Sequence, residues 1–223
     1  MRAIALLPCS LALLLAVPAA AQEDPLSISL GAAITSDYVF RGISQTDKAP
    51  AFQPYAEAEY ALPGDFGSVY AGFWGSNVDF GEFEVEMDFY GGYRNSFRGI
   101  DYDIGYVRYV YTDSGDCCGE AYVSADYQIN DAIGVGGAYY HDFDLETDYV
   151  TGSVTIALFW ELELSGGVGK FADGGASDWN VGLSRPITDT ISADVRFHDS
   201  SQGEWLVNAT ISFDTDWASL MGR

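Results

Sequence analysis

Between Glu82 and Phe89 every even position is a carboxylate and every odd position is apolar. In an extended chain that period of two puts Glu82, Glu84, Glu86 and Asp88 on one face and Phe83, Val85, Met87 and Phe89 on the other. Acids on one strand face are spaced by about 7 Å. A wall built from them attracts cations and repels anions. The same parity carried along the chain adds Glu57, Glu59, Asp101, Asp103, Glu120, Asp126, Glu161, Glu163, Asp178 and Asp194 to the polar face, against only Arg94 and Arg196. These residues are the candidate lining of a lumen.

Other chemistry is sparse. The chain has two histidines, His141 and His198, and the run His198-Asp199-Ser200-Ser201 cannot make a triad by itself, because sequence neighbours rarely converge in triad geometry. No enzyme activity or cofactor is expected. Cys117 and Cys118 are adjacent, so a bridge between them would staple no loop. Metal capture by the pair would need a further ligand, and the candidates are His141 and His198. Asp142, Asp144, Glu146 and Asp148 form an acidic loop without the EF-hand pattern or its glycine, which reads as a solvated loop. No metal site is expected.

The elements that must position these acids are strands. Alternation recurs in segments near Leu26–Thr35, Phe52–Leu62, Val69–Trp74, Glu82–Tyr93, Ile100–Tyr106, Glu120–Ile129 and Ile133–Tyr139. It continues in Val150–Leu158, Leu162–Val168, Trp179–Leu183, Ile191–Phe197 and Trp205–Phe213, which makes twelve strands and no convincing helix. The turn at Phe159-Trp160-Glu161 lacks Gly, Pro, Asn and Asp, but a three-residue loop there sets Leu158 opposite Leu162 and keeps both apolar faces on one side.

A soluble sandwich and a membrane barrel both use such strands. Two features favour an antiparallel up-and-down transmembrane β-barrel. Connections alternate in length, with long polar ones at Gly42–Pro50, Gly75–Gly81, Thr112–Gly119, Asp142–Asp148, Ala172–Ser177 and Asp199–Gly203. Aromatics gather at strand ends: Tyr38, Phe40, Tyr109, Tyr111, Tyr140 and Phe171 would ring one rim, and Tyr60, Phe159, Trp160 and Phe213 the other. Arg108 and Lys170 fall on the lipid-facing parity near the long-loop rim, where lipopolysaccharide phosphates would sit.

The address agrees. Arg2 is followed by the apolar run Ala3–Val17 and by Ala19-Ala20-Ala21, the pattern of a cleaved secretory signal over residues 1–21. Residues 22–223 then form a single barrel domain, with no apolar stretch near the roughly 20 residues of a transmembrane helix. The formal charge of −23 argues against nucleic-acid partners.

The block Ser36-Asp37-Tyr38-Val39-Phe40-Arg41-Gly42-Ile43-Ser44-Gln45-Thr46-Asp47 resembles the Gcw_chp family, also called the TorF family, whose members are taken to be porins. Tyr70-Ala71-Gly72-Phe73-Trp74-Gly75-Ser76-Asn77-Val78-Asp79-Phe80 is a second matching block, and Glu84, Asp88 and Gly91-Gly92-Tyr93 extend it. The resemblance implies a bacterial outer-membrane β-barrel and names no substrate or catalytic residue. The expected partners are outer-membrane lipids and lipopolysaccharide, small-molecule or cation solutes, and the barrel-assembly machinery, for which Phe213 or Trp217 would supply the terminal aromatic. The expected function is a cation-preferring pore; the competing expectations are a closed barrel with a structural or adhesive role and a soluble periplasmic sandwich.

Overall fold

A computed structural model describes residues 25–221; the signal segment 1–21 lies outside them. The chain runs through β1 (Leu26–Thr35), two short strands β2 (Val39–Phe40) and β3 (Ile43–Ser44), then β4 (Ala51–Ala61), β5 (Ser68–Asp79), β6 (Phe83–Phe97) and β7 (Ile100–Tyr111). It continues through β8 (Gly115–Asn130), β9 (Ile133–Asp142), β10 (Thr147–Ala157), β11 (Glu163–Phe171), β12 (Ser177–Pro186), β13 (Ile191–Ser200), β14 (Leu206–Asp216) and a terminal turn of helix α1 (Trp217–Leu220). β2 and β3 pair only with each other; the other strands pair antiparallel with their neighbours, and β1 pairs with both β4 and β14, so twelve strands close into a barrel. Closure satisfies every ladder edge, which is what a sheet needs to sit in hydrocarbon.

The period of two decides which face is which. Ile34, Phe73, Phe89, Val168, Val195 and Ile211 are exposed on the outside, while their neighbours Thr35, Glu86, Asp88, Asp194 and Ser212 are buried inside. Leaving an outer belt of this kind in water would cost about 1.5–3 kcal/mol for each large side chain. Against lipid it costs nothing. No helix among the described residues is long and apolar enough to cross a membrane; the crossing elements are strands.

All twelve expected strands are present, with longer ends. β5 runs on to Asp79 and β8 begins at Gly115, so the stretches 75–81 and 112–119 are largely strand. Hence the expected sorting of loop lengths fails for most connections at that rim. The ladders continue where alternation of polarity stops, because beyond the apolar belt the outer face turns polar while apolar Val78 is buried on the inner one. The one long connection lies between β1 and β4, and it contains the β2–β3 hairpin.

The turn at 159–161 is a tight three-residue loop, with Trp160 and Glu161 both in the left-handed region at φ of 60°. Leu158 N–H donates to Leu162 O at 2.7 Å, the pairing expected from the apolar parity. On β8 the register with β7 shifts between Tyr109 and Val110, so that Cys118 faces Tyr109, Asp116 faces Val110 and Cys117 is the extra residue of a bulge. Cys117 and Cys118 are joined in a disulfide at that bulge.

The aromatic expectation is right at one rim only. Tyr60, Phe159, Trp160 and Phe213 are exposed beside the chain ends. Tyr109, Tyr111, Tyr140 and Phe171 instead face inward, and Tyr38 and Phe40 belong to the inward hairpin. The strand parity that sends Asp101 and Asp103 inward sends Tyr109 and Tyr111 inward too. Inner rings lie flat over glycines of adjacent strands: Tyr122 covers Gly105 and Tyr149 covers Gly169, so closely that a Cβ at either glycine would collide with the phenol.

Candidate functional site

The inner wall is a set of carboxylates with few positive partners. Arg94 on β6 is the centre of one group. Its guanidinium donates to Glu57 through Nη1 and Nη2 (2.6 and 3.1 Å), to Glu59 (3.4 Å) and through Nε to Asp103 (3.0 Å). It stacks on Tyr70 with Cζ 3.5 Å from the ring centroid, and the Tyr70 and Tyr122 hydroxyls bond each other. Arg196 on β13 is the centre of a second group, donating to Asp194 (3.0 Å), Asn180 (2.7 Å) and Ser165 (2.8 Å).

The Glu84–Asp88 strip is buried on the inner face of β6. Glu84 accepts from the backbone and hydroxyl of Ser114 (3.0 and 2.7 Å), and Glu86 accepts from the Tyr111 hydroxyl (2.8 Å). Asp101 and Asp126 are direct cross-strand partners of β7 and β8. Glu163 shares the inward parity of Ser165, and Asp178 accepts from the Tyr149 hydroxyl at 2.7 Å. Two expected wall residues are not on the wall. Glu82 lies in the turn before β6 and Glu161 in the turn before β11, both exposed; in each case the alternation in the sequence outruns the hydrogen-bonded ladder.

Strand parity missed the residues of the first loop. Arg41 and Gly42 form the two-residue turn between β2 and β3, with φ of 47° and 76°, the left-handed pair that a tight hairpin requires. Only glycine fits at 42, since a Cβ would lie 2.7 Å from Ser200 Cβ and 3.0 Å from Asp178 Cβ. At the hairpin base the Ser44 hydroxyl donates to Asp37 Oδ1 (2.6 Å), and Tyr38 N–H donates to Thr46 Oγ1 (3.1 Å). Tyr38 packs edge-on against Trp74 of β5, centroids 5.3 Å apart, in a cluster with Ala51 and Val78.

From the hairpin tip the Arg41 guanidinium reaches Glu120 of β8, at 2.8 and 2.9 Å to the two oxygens. The Tyr109 hydroxyl holds the same carboxylate (2.9 Å). Arg41 Cζ also lies 4.0 Å from the Tyr149 ring centroid and 5.3 Å from that of Tyr140. β9, which carries Tyr140, stands across the ring from β1, so the hairpin spans the lumen. The signal was in the sequence: a left-handed Arg-Gly turn inside the block that carries the family resemblance.

Outside the spanning strands, Lys48 and Glu204 pair at 2.8 Å. Their hydrogen bond holds the lysine above and the glutamate below their ordinary pKa values. Arg108 faces outward as expected, but its charge is matched by Asp116 and Asp144, each at 2.5 Å. Lys170 is exposed, with no ion pair among the described residues. Asp142 is buried and caps the acidic loop by accepting from the N–H groups of Asp144 and Leu145 (2.8 and 2.9 Å). His141 pairs with Asp148 (2.7 Å) and His198 with Asn208 (3.2 Å); among the described residues neither is hydrogen-bonded to a serine hydroxyl.

An apolar exterior, a charged interior and twelve closed antiparallel strands define a β-barrel of the outer-membrane type. The KdgM porin has this fold, at a TM-score of 0.56 and 11% identity over 84% of this chain and 97% of that one. So does the NanC porin, at 0.50 and 9% over 84% and 97%. Outer membrane phospholipase A from Escherichia coli is similar as well, at 0.50 and 13% over 84% and 91%. Porins and an enzyme share the architecture, so the fold by itself does not choose between them. Residues 19–218 match the model of the family described as "Bacterial protein of unknown function (Gcw_chp)", and the chain belongs to that family. No curated protein matches.

Proposed function

We propose that this protein is an outer-membrane pore for the passive diffusion of small solutes, with a preference for cations. The observation that carries the reading is the charge of the inner wall. Glu57, Glu59, Glu84, Glu86, Asp88, Asp101, Asp103, Asp126, Glu163 and Asp194 share it with Arg94 and Arg196. Both guanidiniums are already bonded to wall carboxylates or polar side chains. The excess acid attracts cations along the whole path.

The KdgM porin has been solved in complex with disordered oligogalacturonate. That ligand is a polyanion, which an acidic wall would repel, and a shared fold does not carry a shared solute. Exposed Lys170, and Arg108 to the extent that Asp116 and Asp144 release it, are the proposed contacts with lipopolysaccharide phosphates. Unchanged lipopolysaccharide retention in the double alanine variant would count against that contact.

Recovery in the outer-membrane fraction, with a gel mobility that changes on heating, tests the location. Discrete conductance steps from the purified protein in a planar bilayer test the pore. The hairpin folded into the lumen, with Arg41 closed on Glu120, supports a second reading, a closed structural barrel. A folded, membrane-inserted protein that never conducts would favour it.

A further inference from the structure

A barrel of eight strands is filled by its own side chains, and one of sixteen leaves a channel. Twelve strands fall between, so anything folded into the lumen decides what passes. Building on the pore reading, we infer that the β2–β3 hairpin is the constriction and that Arg41, latched to Glu120, is its selectivity-determining residue.

Three observations carry this. The hairpin is fixed at both ends. Its base is tied by Asp37, Ser44 and Thr46 and packed on Trp74, and its tip is pressed against β12 and β13 at Gly42. Its span ends in a charge, because the Arg41 side chain is only 13% exposed and is closed on Glu120 and Tyr149 across the ring from β1. Finally, the hairpin is not packed solidly against the wall. Between its Asp37, Tyr38 and Val39 and the wall residues Gln53, Asp194 and Arg196 lies a polar cavity of about 30 Å³, room for about two water molecules.

The physical consequence is a filter of mixed sign in an acidic tube. Carboxylates alone would bind cations strongly and release them slowly, whereas conduction needs sites weak enough to leave. Arg41 cancels Glu120 where the hairpin reaches the far wall. Removing the guanidinium uncovers Glu120 and opens the gap beside Tyr140 and Tyr149. Removing the carboxylate leaves an unmatched positive charge in the same place.

Single-channel recording in a potassium chloride gradient tests this with Arg41→Ala, Glu120→Gln and Gly42→Val, each first checked for heat-modifiable mobility as a sign of a folded barrel. Arg41→Ala is expected to raise conductance and to increase the cation-to-anion permeability ratio by about threefold or more, since fixed charge in a confined site changes local ion concentration by at least that order. Glu120→Gln is expected to shift the ratio the other way. Gly42→Val displaces the tip without changing charge, and is expected to raise conductance with little change in ratio. A purely structural role for the pair would move Arg41→Ala and Glu120→Gln in the same direction, and that result would overturn the inference. So would a wild type that conducts and three variants indistinguishable from it, which leaves the pore reading intact. A silent wild type beside a conducting Arg41→Ala would support the hairpin as the barrier and overturn the open pore. No conductance from any of the four proteins would sink both.

Discussion

Arg94 shows how single residues hold this barrel together. One guanidinium serves Glu57, Glu59 and Asp103 and lies on Tyr70. Replacing it with glutamine strands three carboxylates in a crowded interior. Breaking such a pair costs about 3 kcal/mol or more; Arg94 is 20% exposed, which keeps the expectation at the low end. The temperature at which the folded gel band converts to the unfolded one should drop clearly in Arg94→Gln, and an unchanged temperature would show that water already screens the cluster. Parity alone places Glu57, Arg94 and Asp103 on the wall, because a strand has only two faces. It fails at Glu82 and Glu161, where the pattern of residue types runs into a turn and the backbone no longer alternates. It is silent about Arg41, whose direction is set by a hairpin turn and by contacts far away in sequence.

Among the elements, the β7–β8 pair carries the bulge with its adjacent disulfide. Disulfides stabilise mainly by closing long loops in the unfolded chain, and this one closes none. The Cys117→Ser, Cys118→Ser double variant should therefore keep the barrel, with a stability change within about 1 kcal/mol. A larger loss would mean that the bridge itself shapes the bulge beside Tyr109 and the Glu120 it holds. The connections give a topological prediction. The turns at 98–99 and 131–132 share a rim with the chain ends near Leu26 and Asp216, and the hairpin and the segment 172–176 lie at the other. Barrels of this type keep their termini and tight turns on the periplasmic side. An epitope inserted at Gly174 should be detected on intact cells and one at Gly99 only after permeabilisation; the reverse labelling would invert the orientation. Strand number and pairing were legible because alternation is dictated by a two-sided environment. Strand length was not, because beyond the lipid belt the outer side is wet and the inner one carries buried apolar Val78, so the pattern no longer reports where a ladder ends.

For the whole molecule, one pattern explains both the fold and the proposed activity. An apolar outer face needs lipid, closure removes the edges, and the acids excluded from the outer face collect inside. The block from Ser36 to Asp47 was legible in the sequence as a family feature but not as a device; the structure shows that its Asp37, Ser44 and Thr46 tie a hairpin whose Arg41 crosses the lumen. On the proposed function, ions pass along the acidic wall. The decisive measurement is the reversal potential of the purified wild-type protein in a planar bilayer under a potassium chloride gradient. Discrete channels with a reversal potential of the sign set by potassium are expected. Channels that favour chloride, or a folded and inserted barrel with no conductance, would contradict it.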